Sequence, residues 1–288
     1  MSDNNLRIGQ LFIHPIKSCG GIAVSEAPLI ETGFEYDREW MVVDQHGDLV
    51  TQRELPRMAL IQPTLRASDL VLRAPGMLAL HLQLGAVEGD CRVRVWNDTV
   101  DAFDMGDLAA QWFSDCLGQR LRLARFDPDV QRLASAEWTG AIAARTAFAD
   151  AFPLLVLSTA SLGELNRRLA AAGHDAVTMQ RFRPNIVIDG LEDAHGEDFI
   201  DTLTIESADG PVVLKLVKPC SRCTIPDVDP MTAAQGHAVA DTMRAYRANE
   251  RLGGAFTERV VLEFLIFHTE RRRLGNEFVQ PEIGEQRI

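Results

Sequence analysis

Short apolar runs separated by turn residues dominate the first half of the chain. Residues 6–30 contain two such runs around the loop IKSCGG (16–21), which predicts two strands and a connecting loop. Residues 40–54 predict a hairpin with His-Gly-Asp at its turn. This part of the chain is therefore expected to be rich in strands. The same short-strand pattern continues in residues 70–84 and 91–100.

A helical spacing of apolar residues first appears in DLAAQWFSDCLG (107–118). Asp107 is expected to cap this helix and Gly118 to end it. The predicted apolar face consists of residues four apart: Leu108, Trp112 and Cys116.

The second half of the chain alternates strand-like runs with two further helices. Ser161 and Glu164 form a predicted capping box for a helix that ends at Gly173. The buried stripe of that helix is expected to be Leu162, Leu165 and Leu169. Predicted strands are residues 152–158, 181–189, 198–207 and 211–220, followed by a helix over 241–250 and a last strand in the tail.

This order of elements predicts an α+β, strand-rich fold with a few packed helices, built on a closed or strongly bent sheet. Residues 127–145 have a mixed composition and predict a linker or surface loop. The expected domains are therefore residues 1–126 and 146–288, on either side of that linker.

Composition narrows the class of protein. The 288 residues are 46% hydrophobic and 24% charged, as in ordinary globular proteins, and the net charge of −12 argues against nucleic acid or anionic membranes as partners. No secretory signal and no apolar run of membrane-spanning length is visible. Five cysteines do not form a disulfide framework, so a cytoplasmic protein with reduced thiols is expected.

The most specific chemical feature is CSRC (220–223) in KPCSRCTIPDVDP. Pro226 and the aspartates that follow make a helix improbable there, which argues against a redox pair at a helix N-terminus. A zinc site needs further ligands, and the chain has no second C-x-x-C. Two inert thiols and a single thiolate ligand to a metal-bearing cofactor both remain open. Arg222 would favour a thiolate and could hold an anion.

Three other segments carry candidate anion-binding groups. Lys17 and Ser18, followed by Cys19 and two glycines, have a composition suited to a phosphate, but a plain glycine turn is the more common explanation of such a segment. In RFRPN, Arg181 and Arg183 project from one face if the segment is extended. Arg38 lies between acidic residues, which also predicts a local salt bridge. The histidines do not cluster, and no hydrolase or Rossmann motif is present.

Taken in order, these segments resemble one family. Residues 13–61, beginning IHPIKSCGG, resemble the N-terminal β-barrel domain that precedes MOSC domains. The segments FPLLVLSTASLGELNRR, RFRPNIVIDG and VKPCSRCTIPDVDP resemble the MOSC domain itself. The resemblance covers roughly residues 6–250 and is nearest to amidoxime-reducing components and their bacterial relatives. It implies a MOSC β-barrel fold preceded by a β-barrel-like domain.

The resemblance implies a molybdenum cofactor, a pterin dithiolene with a terminal phosphate. Cys223 matches the cysteine that ligates the metal and is the implied catalytic residue, whereas Cys220 matches a cysteine that is not a ligand. Ser221 and Arg222 flank the metal loop. The positions that match contacts to the pterin and its phosphate are Lys17, Ser18, Arg38, Asp150, Arg183 and Asn185.

The activity implied by the resemblance is reduction of small N-hydroxylated compounds such as amidoximes, hydroxamic acids and N-hydroxylated bases. No cysteine follows Cys223, so electrons are expected from a separate partner, a ferredoxin, a flavodoxin or a flavin reductase. Two other functions stay open. The chain could carry the cofactor or transfer sulfur without turnover, or it could be a zinc or redox-thiol module.

Overall fold

The computed structural model describes residues 6–248, 272–275 and 277–283, together with the backbone of 257–265. The helices are α1 (Gly106–Leu117), α2 (Ala136–Thr139), α3 (Thr159–Ala171) and α4 (Ala238–Arg247). The strands are β1 (Arg7–Ile13), β2 (Ile22–Val24), β3 (Ala27–Ile30), β4 (Gly33–Phe34), β5 (Trp40–Val43), β6 (Gln62–Leu65), β7 (Asp69–Arg73), β8 (Leu80–Gln83), β9 (Gly89–Val95), β10 (Asp98–Asp104), β11 (Arg122–Phe126), β12 (Leu154–Ser158), β13 (Ile186–Asp189), β14 (Ile200–Ser207), β15 (Gly210–Ser221), β16 (Thr257–Leu265), β17 (Arg272–Leu274) and β18 (Val279–Ile283).

The largest sheet has the strand order β18-β14-β15-β16-β12-β13-β1-β2. β12 and β13 pair in parallel, and the other pairs within this sheet are antiparallel. A core of Leu, Ile and Val side chains from these strands packs against its buried face. Because β1 and β2 join this sheet through β13, the start of the chain lies beside strands from its second half. The domain boundaries at residues 126 and 146 stay a prediction.

Three smaller sheets have the orders β5-β11-β10-β9, β6-β7-β8 and β17-β3-β4. α1 packs beside β11 and β8, over a core that includes the fully buried Trp40 and Phe113. The expectation of a strand-rich α+β fold is confirmed. In the predicted hairpin over 40–54, the first strand forms, but the returning segment makes only short bridges such as Val43 to Leu49.

The capping of α1 differs from the prediction. The helix begins at Gly106, and the Asp104 carboxylate accepts a hydrogen bond of 2.6 Å from the Gly106 amide. Asp107 therefore lies in the first turn, where it receives a 3.1 Å hydrogen bond from Arg122. Leu108 is 70% exposed, because the face that packs on the core runs through Phe113 and the neighbouring alanines instead. Burial of Trp112 and Cys116 and termination at Gly118 agree with the prediction.

The start of α3 also differs. Ser158 is the N-cap, and its hydroxyl accepts a 3.1 Å hydrogen bond from the Ser161 amide. Glu164 does not reach back to the cap, since it pairs with Arg167 and Arg168 one turn further on. The predicted capping box is therefore wrong by three residues. The predicted buried stripe is correct for Leu165 and Leu169, with Leu162 partly buried.

The segment RFRPN is not extended. Met179–Phe182 forms a 3₁₀ turn, Arg183 has a φ of 57°, and the strand begins only at Ile186. The two arginines therefore point to different surroundings, and Arg181 pairs with Asp229 at 2.6 Å. The interpretation of two arginines on one extended face is wrong, because Pro184 follows a residue in the left-handed region rather than a strand.

The strands predicted over 152–158, 198–207 and 211–220 form with shifts of one or two residues at their ends, whereas only the last four residues of the one predicted over 181–189 are a strand. α4 begins three residues before the predicted helix, and residues 249 and 250 of that prediction lie outside the described residues. Within the ranges that the structure describes, no helix is both long enough and apolar enough to cross a bilayer.

Candidate functional site

One open cleft has a volume of about 210 Å³. It is lined by the end of β15, by the loop that follows β15, and by the segment that precedes β12. All nine residues matched to cofactor positions line this cleft, although they come from five separate stretches of sequence. The structure therefore brings the whole predicted set together. Its members are Lys17, Ser18, Arg38, Asp150, Arg183, Asn185, Ser221, Arg222 and Cys223.

The loop after β1 presents Lys17 and Ser18 to the cleft. The Lys17 amide donates to the Trp40 carbonyl oxygen at 2.8 Å, which fixes the loop against β5. The two glycines that follow do not line the cleft. The Gly20 amide donates to a neighbouring loop carbonyl, and a Cβ on Gly21 would lie 2.5 Å from the His14 ring. The glycines thus allow close packing, and their expected role in cradling phosphate is not supported.

Lys17 and Asp150 form an ion pair in the lining of the cleft. The Lys17 ammonium donates to the Asp150 carboxylate and to the Phe148 carbonyl oxygen, both at 2.6 Å. Burial lowers the pKa of Lys17, and the attraction of Asp150 opposes that effect. Burial would raise the pKa of Asp150, but the Lys17 ammonium and a 3.0 Å hydrogen bond from Trp96 hold it well below its ordinary value. The Asp150 carboxylate is therefore ionised at neutral pH and can pair with the Lys17 ammonium.

Arg38, Arg183 and Asn185 form a second group, linked by hydrogen bonds. The Arg38 guanidinium donates to the Asn185 side-chain oxygen and to the Arg183 carbonyl oxygen, both at 2.8 Å. It also pairs with the buried Asp37 carboxylate, so the predicted local salt bridge is present. The Asn185 amide group donates to the Phe12 carbonyl oxygen at 3.2 Å. These contacts fix Arg38 in one orientation at the cleft wall.

Arg183 is the best candidate for an anion-binding group. Its guanidinium donates to the Cys19 carbonyl oxygen, but its Nη2 atom is buried and has no hydrogen-bond partner among the residues that the structure describes. Burial and repulsion from Arg38 lower its pKa to about 10. A buried cation with an unused donor beside a like charge is costly unless an anion meets it. The terminal phosphate of a pterin cofactor fits this requirement.

The backbone around these groups is held in an unusual conformation. Ser18, Arg38 and Arg183 have φ values of 67°, 51° and 57°, in the left-handed region that non-glycine residues adopt rarely. Each such residue costs of order 1–3 kcal/mol and persists only where its surroundings enforce it. Their meeting in one cleft is typical of a binding site.

The CSRC segment lies at the end of β15. β15 continues through Ser221, and the Cys223 side chain is exposed at the cleft. Cys220 and Cys223 form no disulfide. Arg222 donates to the Phe182 carbonyl oxygen at 2.8 Å and lies 3.4 Å from the Cys220 sulfur. The loop after β15 therefore exposes the Cys223 thiol to a ligand in the cleft.

The zinc interpretation receives no support from the arrangement of side chains. Across residues 6–248 and the described parts of the tail, no three Cys, His, Asp or Glu side chains are grouped as metal ligands. Cys223 is instead an exposed thiol at the cleft, and a single thiolate suits the completion of a coordination sphere supplied mainly by another ligand.

The charge of the cleft contrasts with the charge of the chain. Among the described residues that line it, six are cationic and only Asp150 is acidic, whereas the chain has a net charge of −12. Such a local excess attracts phosphorylated or otherwise anionic ligands. The cations are Lys17, Arg38, Arg53, Arg183, Lys218 and Arg222.

Several lining residues were not expected from the sequence. Arg53, Phe152 and Lys218 belong to segments whose local pattern indicates only strand or loop. Arg132, in the predicted linker, donates to the Ala147 and Ala149 carbonyl oxygens at 2.8 and 2.6 Å and so fixes the segment that carries Asp150. No short sequence motif identifies the three lining residues or the supporting Arg132, because their roles depend on contacts with segments that are distant in sequence.

His14 predicts a pH dependence of stability. Burial, then repulsion from Arg183 and Arg38, lowers its pKa well below the ordinary 6.5, so the folded protein holds it neutral with Nε2 3.0 Å from the Pro184 carbonyl oxygen. Below about pH 6.5 the unfolded chain takes up a proton there that the folded state refuses. Stability should therefore fall with decreasing pH, by up to about 1.4 kcal/mol per pH unit for this group. Urea unfolding at pH 7.5, 6.0 and 5.0 measures the slope.

In His14→Gln this contribution is removed, so the pH dependence between pH 6.5 and 5 should become shallower. An unchanged slope in that variant would contradict the assignment of a neutral, buried His14.

Comparison with known proteins identifies the family of the chain. Residues 5–120 match the family model of the MOSC N-terminal beta barrel domain, and residues 143–264 match that of the MOSC domain. Mitochondrial amidoxime-reducing component 1 of Mus musculus is 37% identical over 250 residues, covering 83% of this chain and 71% of that protein. The human component 1 is 36% identical over 250 residues, with 83% and 72% covered. Component 2 of Bos taurus is 35% identical over 252 residues, with the same coverage.

Two solved structures are similar in part. A solution structure from Bordetella bronchiseptica is 33% identical, covers 35% of this chain and 86% of that chain, and has a TM-score of 0.29. The YUAD protein of Bacillus subtilis is 10% identical, covers 95% and 93%, and has a TM-score of 0.41. With both scores below 0.5, the family assignment rests on the sequence matches.

The chain belongs to the family of MOSC-domain proteins that includes the amidoxime-reducing components. Membership in this family supports a function related to the molybdenum cofactor.

Proposed function

We propose that this protein binds a molybdenum cofactor in the cleft and reduces small N-hydroxylated compounds: amidoximes, hydroxamic acids and N-hydroxylated bases. The observation that carries the proposal is the cleft itself, where all nine residues matched to cofactor positions meet around an excess of positive charge. The names of the relatives, amidoxime-reducing components, supply the substrate class.

The side chains suit the parts of that cofactor. Arg183 has a buried, unused donor and, with Lys17 and Arg38, would neutralise the terminal phosphate. Asn185 and Asp150 offer polar groups to the pterin, with Ser18 at the loop beside them. Ser221 and Arg222 would hold the loop on which Cys223 presents its thiolate to the metal.

The residues of the chain have binding and access roles in the reaction. When bound, the cofactor supplies a redox-active metal able to take oxygen from an N–OH group. Overall, an amidoxime takes up two electrons and two protons and yields an amidine and water. Cys223, exposed at the open side of the cleft, leaves room for a small substrate beside it. Among the described residues that line the cleft, Asp150 is the one carboxylate. Its lowered pKa makes it a poor proton donor at neutral pH.

Electrons would come from a separate donor, a ferredoxin, a flavodoxin or a flavin reductase. The carrier or sulfur-transfer function remains the second candidate, because Cys220 and Cys223 both line the cleft as thiols that form no disulfide. It predicts cofactor binding without turnover.

We further propose the division into domains at 1–126 and 146–288 and a location in the cytoplasm.

The experiment is a turnover assay on protein produced in a host that makes molybdenum cofactor. Benzamidoxime is supplied with reduced methyl viologen, and benzamidine is quantified by chromatography. We expect amidine formation that scales with the molybdenum content of the preparation. Folded protein from a host unable to make the cofactor is the matched control. Molybdenum bound at one per chain with no amidine formed would favour the carrier function.

A further inference from the structure

A cationic and aromatic group lies on the wall of the cleft next to the CSRC segment. The Lys218 ammonium is 5.0 Å from the centroid of the Trp138 ring and 5.8 Å from that of Phe152. Phe152 and Lys218 line the cleft together with Cys220 and Cys223. Trp138 and Cys220 pack against the same apolar cluster that contains Phe152. This group is referred to below as the aromatic subsite.

Lys218 carries a charge that no residue described by the structure neutralises. Within the described part of the chain its half-buried ammonium forms no ion pair and instead lies over two aromatic faces. Aromatic faces stabilise a cation without satisfying its N–H donors. The three donors of an ammonium therefore remain available to an acceptor in the cleft.

Lys218 also stands apart from the groups that suit the cofactor phosphate. Lys17 is bound to Asp150, whereas Arg38 is joined to Arg183 and Asn185 by hydrogen bonds; Lys218 takes part in neither set. Trp138 belongs to α2, in residues 121–142 that lie between the two family matches. The aromatic subsite is thus partly built from a segment that the family models do not cover.

We infer that the aromatic subsite selects substrates that carry a carboxylate on an aromatic ring. The inference rests on the proposed function and specifies the substrate class of the same cleft. The carboxylate accepts hydrogen bonds from Lys218, and the ring packs on the Phe152 face. Trp138 is a positioning residue, because its ring packs beside the Lys218 ammonium and keeps that ammonium at the cleft. Lys218 is only half-buried, so its charge-assisted hydrogen bond is partly screened by water. We expect that one contact to strengthen binding of a carboxylated substrate about tenfold over its neutral counterpart.

The test compares benzamidoxime with 4-carboxybenzamidoxime on the cofactor-loaded protein. Binding is measured by calorimetry without an electron donor, and kcat/KM is measured separately with one. We expect about tenfold tighter binding of the carboxylate and a similar ratio in kcat/KM. Lys218→Gln should bring both ratios to about one, and Lys218→Arg should keep the preference. Lys215→Gln, the same charge change on β15 away from the cleft lining, is the matched control and should keep the wild-type ratio.

Trp138→Leu should reduce the preference without a matching loss for benzamidoxime, because the neutral substrate does not use the ammonium. The inference is overturned if the wild type does not discriminate, or if Lys218→Gln keeps the preference. It is also overturned if Lys218→Gln loses molybdenum, since Lys218 would then hold the cofactor. A binding preference without any turnover would support the subsite and contradict the reductase proposal alone.

Discussion

Replacing Cys223 with alanine is expected to abolish reduction of N-hydroxylated substrates. Cys223 lies at the cleft with an exposed side chain and no disulfide, so it can act as a thiolate ligand. Metal ligation by a soft sulfur cannot be replaced by a methyl group. Activity should fall by at least about a thousandfold, the scale of losing a group on which the chemical step depends. The assay is benzamidine formation from benzamidoxime, with molybdenum measured on the same samples.

Two other cysteine variants make this result specific. Cys91→Ala, on β9 and outside the cleft lining, should keep wild-type activity and molybdenum. Cys220→Ala tests which thiol is the ligand and should retain molybdenum. Full activity with bound molybdenum in Cys223→Ala would mean that the ligand assignment is wrong. Loss of molybdenum in Cys220→Ala alone would transfer that role to Cys220.

Replacing Arg183 with methionine should separate cofactor binding from stability. Arg183 is a partly buried cation beside Arg38, with a buried Nη2 donor that no described group accepts. Removing this cation relieves its desolvation cost and its repulsion from Arg38, which outweigh the attraction of Asp37 and Asp150 because the pKa of Arg183 is lowered overall. The cofactor-free variant should therefore unfold at the same or a higher urea concentration than cofactor-free wild type. Its molybdenum content should fall more than tenfold, as expected when a charged contact to phosphate is lost.

Arg181→Met is the matched control, two residues earlier in the same turn. Arg181 pairs with Asp229 at 2.6 Å and does not line the cleft, so its loss should lower the free energy of unfolding by about 1 kcal/mol and leave molybdenum content unchanged. Retention of molybdenum in Arg183→Met would contradict the assignment of Arg183 to the phosphate. A large loss of apo stability would instead assign Arg183 a structural role.

The site was predictable from sequence where a short motif carries its own chemistry. The CSRC segment, the Lys17-Ser18 pair and Asn185 each belong to segments whose resemblance to a family assigns a role. The structure places all of them in one cleft. The aromatic subsite was not predictable, because Trp138 and Lys218 meet only through the packing of α2 against β15.

Local geometry limited the prediction of the elements. Strands followed from apolar runs, because burial on a sheet face needs only the right alternation. Caps and turns failed because they depend on which side chain reaches a free amide. Ser158 rather than Ser161 caps α3, and Arg183 adopts a φ of 57° where an extended residue was expected. That turn directs Arg181 outward to Asp229 and Arg183 into the cleft, a separation that spacing alone does not reveal.

The presence of a molybdenum cofactor is the central claim, and metal analysis tests it most directly. Molybdenum and zinc should be counted per chain by mass spectrometry in wild-type protein and Cys223→Ala, both purified from a host that makes the cofactor. We predict close to one molybdenum per wild-type chain, a lower content in Cys223→Ala and little zinc in either. One zinc per chain without molybdenum would contradict the account, and so would the absence of both metals.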